Sequence, residues 1–444
     1  MFMNGHAERS ARVEKWFAPA RFGLFYHWGL FTGGGNTAKA GWWAPLQFAS
    51  IAELEATAPA PEVLARNLVD TAEKTGARYI TFTVVHSCGG WAVMYPTAVE
   101  GFIHISTRDY VGAVLAEAAK RKLRVILYLP GSMGHWDSDG GPWVEESLRS
   151  PEGYAEGLRQ LVRELVARYG EQIAGFWLDG LDNLLFDLPA LMHEILPDAI
   201  VMVNNFTRFN VPEMDYATTE FLSATPDPLY NRPSGLTKPI DWIGGMLPPI
   251  KDFNEDIPTC NDWWHGAPPY NEEWLRAYAY RQGTGHYEND PHFWIKEMLC
   301  SLGVRGQWNY TMGLGPLLDG TVPPQFAPMI KAMESFMSWA SESIYGTTGG
   351  EGSCLVPGFC NDGAFCAVTR SLENPALHYV HITTAPEKTY LRIQTDFSAV
   401  KSVCNLRTGG AVGFTQNDAL EITPDHWDDV SSQGAMVLRV EFHP

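Results

Sequence analysis

A carboxylate at the end of an apolar run is the first feature of this sequence that could do chemistry. The apolar residues from Ile173 to Leu178 predict a buried strand, Asp179 follows it directly, and Gly180 permits a sharp exit. A carboxylate at a rigid strand end can act as a nucleophile, exchange protons or bind a metal ion. The preceding segment from Pro151 to Tyr169 has helical spacing, so this stretch belongs to a strand–helix–strand repeat.

Polar side chains fall at the exits of other predicted strands in the same way. They are His27 after the first strand, His86 after the second, His135 beyond the third and Asn204-Asn205 at the end of the fifth. The carboxyl ends of parallel strands meet at one edge of a barrel, so we expect these side chains to converge with Asp179. A single histidine at such a position is more often structural. The whole set favours an active site.

The elements that must position these residues repeat along the chain and predict an α/β fold. Strand–helix units continue to about Ile344, which indicates a (β/α)8-type TIM-like barrel over residues 1–348. From about residue 349 the apolar pattern changes to period two, as in the segment from Met436 to Phe442. Residues 349–444 are therefore predicted to form a small C-terminal antiparallel β-sandwich.

Charge and composition limit the partners. The formal net charge is −19, with 51 acidic and 32 basic residues, so the chain should repel nucleic acid and anionic membranes. The 16 tryptophans and an aromatic content of 12% suit the alternating apolar and polar faces of sugars, although most of these rings are expected in the core. We expect an oligosaccharide or glycoconjugate substrate, and association into a homo-oligomer stays open.

The cysteines and the N-terminus suggest a compartment. Seven cysteines without a CxxC pair argue against a disulfide framework or a zinc knuckle, and the spacing of six between Cys354, Cys360 and Cys366 is read as coincidence. The residues from Met1 to Lys15 lack the apolar core of a signal peptide, and no apolar run is long enough to cross a bilayer. A cytoplasmic protein is expected, or a secreted or periplasmic one if a signal has been removed.

Several motifs, in order along the chain, resemble those of the α-L-fucosidase family of retaining glycoside hydrolases. The strand from Phe22 to Gly29 is similar to the first motif of that family, and Phe176-Trp177-Leu178-Asp179-Gly180 resembles its nucleophile strand. The segment from Asp215 to Phe221 resembles the one that carries the acid/base glutamate in one branch of the family. The stretch from Asn309 to Val322 is similar to the end of its barrel.

The resemblance implies a role for each matching residue. Asp179 would be the nucleophile and Glu220 the acid/base of a double displacement that removes terminal α-L-fucosyl groups through a covalent glycosyl-enzyme. No cofactor or metal is implied. Trp177 and Trp28 would offer apolar surface to the methyl group of a 6-deoxy sugar. The implied substrate-binding residues are His27, Trp28, Trp43, His86, Tyr128, His135, Trp177 and Asn205.

Departures from the family pattern keep other functions open. Only His86 matches a usual pair of histidines, and Asn204-Asn205-Phe206 stands where an arginine is often found, with Arg208 as a displaced candidate. The same carboxylates could act on a galactose-configured glycoside. A catalytically degenerate barrel that only binds glycans is another alternative. A metal-dependent hydrolase using the three histidines with Asp179 is the least favoured, because the HxH pair usual in such barrels is missing.

Overall fold

Eight parallel strands form a closed barrel in the computed structural model of this chain. The strands are β1 Phe22–Tyr26, β2 Tyr79–Thr83, β3 Arg124–Pro130, β4 Ile173–Asp179, β5 Ile200–Asn204, β6 Tyr216–Thr218, β7 Thr259–His265 and β8 Asn309–Leu314. Pairing of β8 with β1, with Leu24 opposite Met312, closes the ring. The structure describes residues 11–32, 48–86, 90–132, 144–181, 183–204, 213–218, 259–265, 290–303, 309–322, 324–349, 353–396 and 398–443. The predicted (β/α)8-type barrel is confirmed.

Helices connect the strands and cover the outside of the barrel. They are α1 Ile51–Thr57, α2 Pro61–Lys74, α3 Tyr110–Lys120, α4 Pro151–Tyr169, α5 Leu188–Ile195, α6 Phe293–Gly303 and α7 Ala327–Ala340. Helix α4 shows why these bounds follow from the sequence. The Ser150 side chain accepts a hydrogen bond from the backbone N–H of Gly153, Pro151 takes the first helical position, and Gly170 ends the helix. The buried face of α4 includes Tyr154 and Leu158.

The interior of the barrel is filled by alternate strand residues, as the period of two in a strand requires. They form one cluster with residues of an N-terminal helical segment, Val13–Phe17 followed by Ala18–Ala20. Phe17 stacks on Tyr216 with ring centroids 4.2 Å apart. The N-terminal segment therefore closes the amino-terminal end of the barrel and leaves the opposite end for a site.

A buried carboxylate fixes this N-terminal closure. Asp215, just before β6, is fully buried and accepts hydrogen bonds from Arg12 Nε at 2.8 Å and from the backbone N–H of Val201 at 2.8 Å. Its second oxygen lies 2.9 Å from His193 Nε2. The cluster ties the N-terminal segment to β5 and α5, so we expect it to contribute strongly to stability.

Replacing Asp215 by alanine should lower the free energy of unfolding by about 3 kcal/mol, because Arg12, whose side chain is only 12% exposed, would lose its partner. Asp198→Ala is the matched control, since its ion pair with Lys15 also holds the N-terminal segment but has side chains 74% and 55% exposed. That control should cost no more than about 1 kcal/mol. Urea unfolding measures the free energy of unfolding of the wild type and the two variants. Equal losses of free energy in both variants would contradict the prediction.

Antiparallel strands follow the barrel in two sheets. The strands are β9 Thr347–Thr348, β10 Gly358–Phe359, β11 Phe365–Ser371, β12 Leu377–Thr384, β13 Leu391–Ile393, β14 Val400–Asn405, β15 Gly413–Gln416, β16 Leu420–Thr423 and β17 Met436–Phe442, with helix α8 Asp428–Gln433. One sheet has the order β10-β11-β12-β17-β14 with β9 beside β11, and the other has the order β13-β16-β15. Apolar residues of both sheets, such as Val380 and Ile422, share one core. The predicted sandwich is confirmed.

Helix α6 joins the barrel to this C-terminal module. Cys300 on α6 packs against Phe365 on β11, and both side chains are buried. The change from parallel to antiparallel pairing falls between β8 and β9. The domain boundary at residue 348 stays a prediction. Within the part of the chain that the structure describes, no helix has the length and apolar character needed to span a membrane.

Candidate active site

The exits of three neighbouring strands hold Asp179 in place. Asp179 lies opposite Asn204 of β5 and opposite Pro130 of β3 in the strand register. Beyond the strands, the backbone N–H of Gly131 donates to Asp179 O at 3.0 Å, and the N–H of Gly180 donates to Asn204 O at 2.7 Å. The backbone hydrogen bonding between the strands therefore continues past the strand ends. The side chain of Asp179 is attached to a backbone that these bonds hold in place.

Two glycines are required at these exits. Gly180 has φ of +70°, which a residue with a side chain adopts only with strain. Gly131 passes so close to its neighbour that a Cβ on it would lie 2.0 Å from the carbonyl oxygen of Gly180. Substitution at either position would displace Asp179.

Both carboxylate oxygens of Asp179 accept a hydrogen bond from an uncharged donor. The Tyr128 hydroxyl donates to Oδ2 at 2.6 Å, and the Asn204 amide donates from Nδ2 to Oδ1 at 3.0 Å. Tyr128 and Asn204 are themselves buried, so their side chains are held by the surrounding barrel. Because each oxygen keeps a further lone pair, Asp179 can still attack an electrophile or accept a proton.

The surroundings of Asp179 perturb its acidity. Burial raises the pKa of the Asp179 carboxyl, and the hydrogen bonds from Tyr128 and Asn204 oppose that rise. The carboxyl is therefore a weaker acid than an aspartate in water. A pKa perturbed by burial in this way is typical of groups in active sites.

Aromatic and imidazole rings form a continuous group beside Asp179, which we call the ring cluster: Phe25, His27, His86, Tyr128 and Trp177. The His86 ring is nearly parallel to Tyr128, with centroids 5.0 Å apart and an interplanar angle of 9°. Tyr128 stacks on Trp177 at 5.1 Å, and Phe25 stacks on His27 at 4.3 Å. His27 meets His86 edge to face at 5.2 Å. The ring cluster fixes the orientation of the Tyr128 hydroxyl towards Asp179.

Both histidines of the ring cluster are neutral near pH 7. Burial lowers the pKa of His86 to about 3. Burial and the nearby His86 hold the pKa of His27 well below its usual range. A neutral imidazole has one N–H donor and one acceptor nitrogen, which suits hydroxyl groups of a ligand better than anionic groups.

The structure brings together five of the predicted site residues: His27, His86, Tyr128, Trp177 and Asp179. Four others, Trp43, His135, Asn205 and Glu220, lie outside the described residues, as does Arg208. Their roles stay predictions.

Trp28 lies elsewhere, which corrects its expected place beside the sugar. Its indole packs on Tyr110 of α3, with centroids 4.5 Å apart, and its Nε1–H donates to Leu318 O at 3.1 Å. Adjacent residues of an extended chain point to opposite sides, so when His27 faces the barrel axis Trp28 faces the helices. Trp28 is a packing residue of the outer layer.

Two members of the site were missed or underrated from the sequence. The resemblance implies Asn205 as a substrate-binding residue, whereas its neighbour Asn204 is the donor to Asp179. Tyr128 was expected to contact the substrate, and the structure shows it bonded to Asp179. The strand register accounts for Asn204, which lies directly opposite Asp179 on the next strand. Tyr128 lies opposite Trp177, two residues before Asp179, and reaches the carboxylate with its hydroxyl.

A metal site was also considered for this edge of the barrel. Among the described residues, no group of three His, Cys, Asp or Glu side chains has an arrangement that could hold a metal ion. His135, which that arrangement would need, lies outside them.

Comparison with known proteins gives the family. The family model described as alpha-L-fucosidase matches residues 3–220, the part that contains β1 to β6 and Asp179. The chain belongs to the α-L-fucosidase family. As a family member it is a glycoside hydrolase. Tissue alpha-L-fucosidase of Rattus norvegicus is 23% identical over 374 residues, which cover 76% of this chain and 70% of the relative.

Solved structures of fucosidases share the fold of this family member from end to end. Alpha-L-fucosidase isoenzyme 1 from Paenibacillus thiaminolyticus superposes with a TM-score of 0.69 at 16% identity, over 98% of this chain and 100% of the other. The Thermotoga maritima alpha-fucosidase superposes with a TM-score of 0.68 at 20% identity, over 98% of this chain and 99% of the other. An alpha-L-fucosidase from Bacteroides thetaiotaomicron, solved as a trapped covalent intermediate, superposes with a TM-score of 0.67 at 18% identity. The superposition covers 99% of this chain and 96% of the other.

Proposed function

We propose that this chain removes terminal α-L-fucosyl groups from oligosaccharides or glycoconjugates, with retention of configuration and through a covalent glycosyl-enzyme. The observation that carries the proposal is the placement of Asp179 at the carboxyl end of β4, with Tyr128 and Asn204 bonded to its two oxygens. The fucosidase relatives support the choice of sugar, and the trapped covalent intermediate of the Bacteroides thetaiotaomicron enzyme supports the two-step course.

Asp179 is the proposed nucleophile. In the first step one of its oxygens attacks the anomeric carbon while an acid protonates the departing glycosidic oxygen. In the second step the same acid, now a base, takes a proton from water, and the water displaces Asp179 from the sugar. Glu220 is proposed as this acid/base on the family motif that surrounds it.

Tyr128 and Asn204 serve Asp179 in both steps. Their hydrogen bonds favour the ionised carboxylate against the burial that raises its pKa. They also fix the plane of the carboxylate relative to the sugar, so less reorganisation is needed at attack. When water releases the sugar, negative charge returns to Asp179, and the two donors stabilise it.

The neutral imidazoles of His27 and His86 are proposed to bind hydroxyl groups of the sugar. Each offers a donor or an acceptor without a full charge, and both lie in the ring cluster beside Asp179. Trp177 holds the ring cluster in place, since it stacks on Tyr128 and is 1% exposed.

A panel of aryl glycosides tests the proposal, with aryl α-L-fucoside and aryl β-D-galactoside foremost. Turnover of the fucoside with α-L-fucose as the first anomer in the NMR spectrum would support a retaining fucosidase. Preference for the galactoside would assign the same carboxylate to a galactose-configured substrate. Binding of fucose in calorimetry without turnover of any glycoside would favour a glycan-binding barrel and overturn the proposal.

A further inference from the structure

Two cysteines of the C-terminal module lie close enough to react with each other. The Sγ atoms of Cys360 and Cys366 are 3.5 Å apart. Cys366 lies on β11 and is buried, whereas Cys360 follows β10 and is half-buried. The two cysteines are brought together by strand pairing, because β10 and β11 form one antiparallel hairpin.

The hairpin holds the two thiols side by side. Gly358 pairs with Cys366 and Phe359 with Phe365, and the backbone N–H of Cys360 donates to Ala364 O at 2.8 Å. Cys360 and Cys366 are thus diagonal neighbours across the strand pair, a relation in which side chains reach each other. A disulfide needs sulfurs about 2.0 Å apart, so closure from 3.5 Å requires a small movement of the two side chains.

We propose that Cys360 and Cys366 form a redox-active dithiol that closes to an intramolecular disulfide on exchange with a small-molecule disulfide such as oxidised glutathione. Cys360 is the thiol that attacks and Cys366 is the thiol that resolves. The pair is separate from the glycosidase site, and its chemistry does not depend on the proposed activity.

Exchange takes place in two balanced steps. The Cys360 thiolate attacks one sulfur of the oxidant, which forms a mixed disulfide and releases one small-molecule thiol. The Cys366 thiolate then attacks Cys360 Sγ, which forms the internal disulfide and releases the second thiol. The two protein thiols lose their protons and are oxidised, and the oxidant is reduced to two thiols that take up those protons.

The electrostatics of the pair agree with this order. A hydrogen bond from Cys366 lowers the pKa of the Cys360 thiol, although burial opposes the effect. The same hydrogen bond, together with burial, raises the pKa of Cys366 well above its usual range. Cys360 is also the more exposed of the two. Once Cys360 is held in the mixed disulfide its negative charge is gone, so Cys366 can ionise more easily.

The test is incubation of the full chain with oxidised glutathione, followed by alkylation of the remaining thiols and peptide mapping. We expect a Cys360–Cys366 disulfide that dithiothreitol reverses. Cys354→Ser and Cys404→Ser are matched controls, since both are half-buried cysteines of the same module, and both should still form it. Cys366→Ser should instead accumulate glutathione on Cys360, because the resolving thiol is missing.

Two results would overturn the proposal. One is a folded wild-type protein that carries glutathione on Cys360 without closing the disulfide. The other is a disulfide that maps to a different pair, such as Cys300 with Cys366. Circular dichroism checks that each serine variant is folded. If a variant fails to fold, disulfide mapping of the wild-type protein is sufficient to test the proposal.

Discussion

Replacing Asp179 by alanine is expected to lower kcat/KM on an aryl α-L-fucoside by at least about 10³-fold, because the variant loses the proposed nucleophile. Azide should restore turnover by entering the space that the carboxylate leaves. Its product should be β-L-fucosyl azide, since a single displacement inverts the anomeric carbon. Identification of this product by NMR is the decisive measurement.

Asp187→Ala is the matched control for Asp179→Ala. Asp187 follows the same strand, but its side chain is 63% exposed and pairs with Arg159 at the surface. We expect that variant to keep kcat/KM within about twofold, because surface ion pairs contribute little. Unchanged activity of Asp179→Ala, or an azide product with the α configuration, would rule out Asp179 as the nucleophile.

Tyr128→Phe should shift the pH dependence of catalysis. It removes the hydroxyl that donates to Asp179 Oδ2 at 2.6 Å and leaves the ring in its place. The ionised carboxylate loses a stabilising hydrogen bond, so its pKa, already raised by burial, should rise further. We expect the acidic limb of the kcat/KM profile to move to higher pH by about 1 to 2 units, since a hydrogen bond to a charged group is worth about 1.5–3 kcal/mol.

Tyr169→Phe is the control for the shifted profile. Its hydroxyl also donates to a carboxylate, Asp109, at 2.7 Å, but Tyr169 ends α4 and Asp109 caps the start of α3, both in the outer layer. This variant should lose some stability without moving the acidic limb. A Tyr128→Phe profile that coincides with the wild type, with activity reduced only by a constant factor, would contradict a role in the ionisation of Asp179.

Much of the fold follows from local signals in the sequence. Helix α4 runs over Pro151–Tyr169 as predicted, because a serine cap, a proline in the first turn and Gly170 mark both ends. Strand β17 spans Met436–Phe442 as predicted, because its alternating apolar residues bury one face. Strand β1 ends at Tyr26, whereas the sequence predicts a strand that ends in His27-Trp28. There the strand pairing, which is not local, sets the end.

The sequence alone determined which positions lie at the candidate site. Asp179, His27 and His86 follow apolar runs, and the order of strands and helices sends all such positions to one edge of a barrel. This inference needs only the period of the apolar residues and the shortness of the connections, which are local properties of the chain.

Only the tertiary structure decided which side chains meet at that edge. The register between β3, β4 and β5 places the Tyr128 hydroxyl and the Asn204 amide on Asp179, and the alternation after β1 turns Trp28 away from His27. In the same way, the hairpin between β10 and β11 brings the sulfur atoms of Cys360 and Cys366 within 3.5 Å of each other, although their spacing in the sequence suggests coincidence. Strand register and side-chain direction depend on contacts between residues that are distant in the chain, so they could not be taken from the spacing.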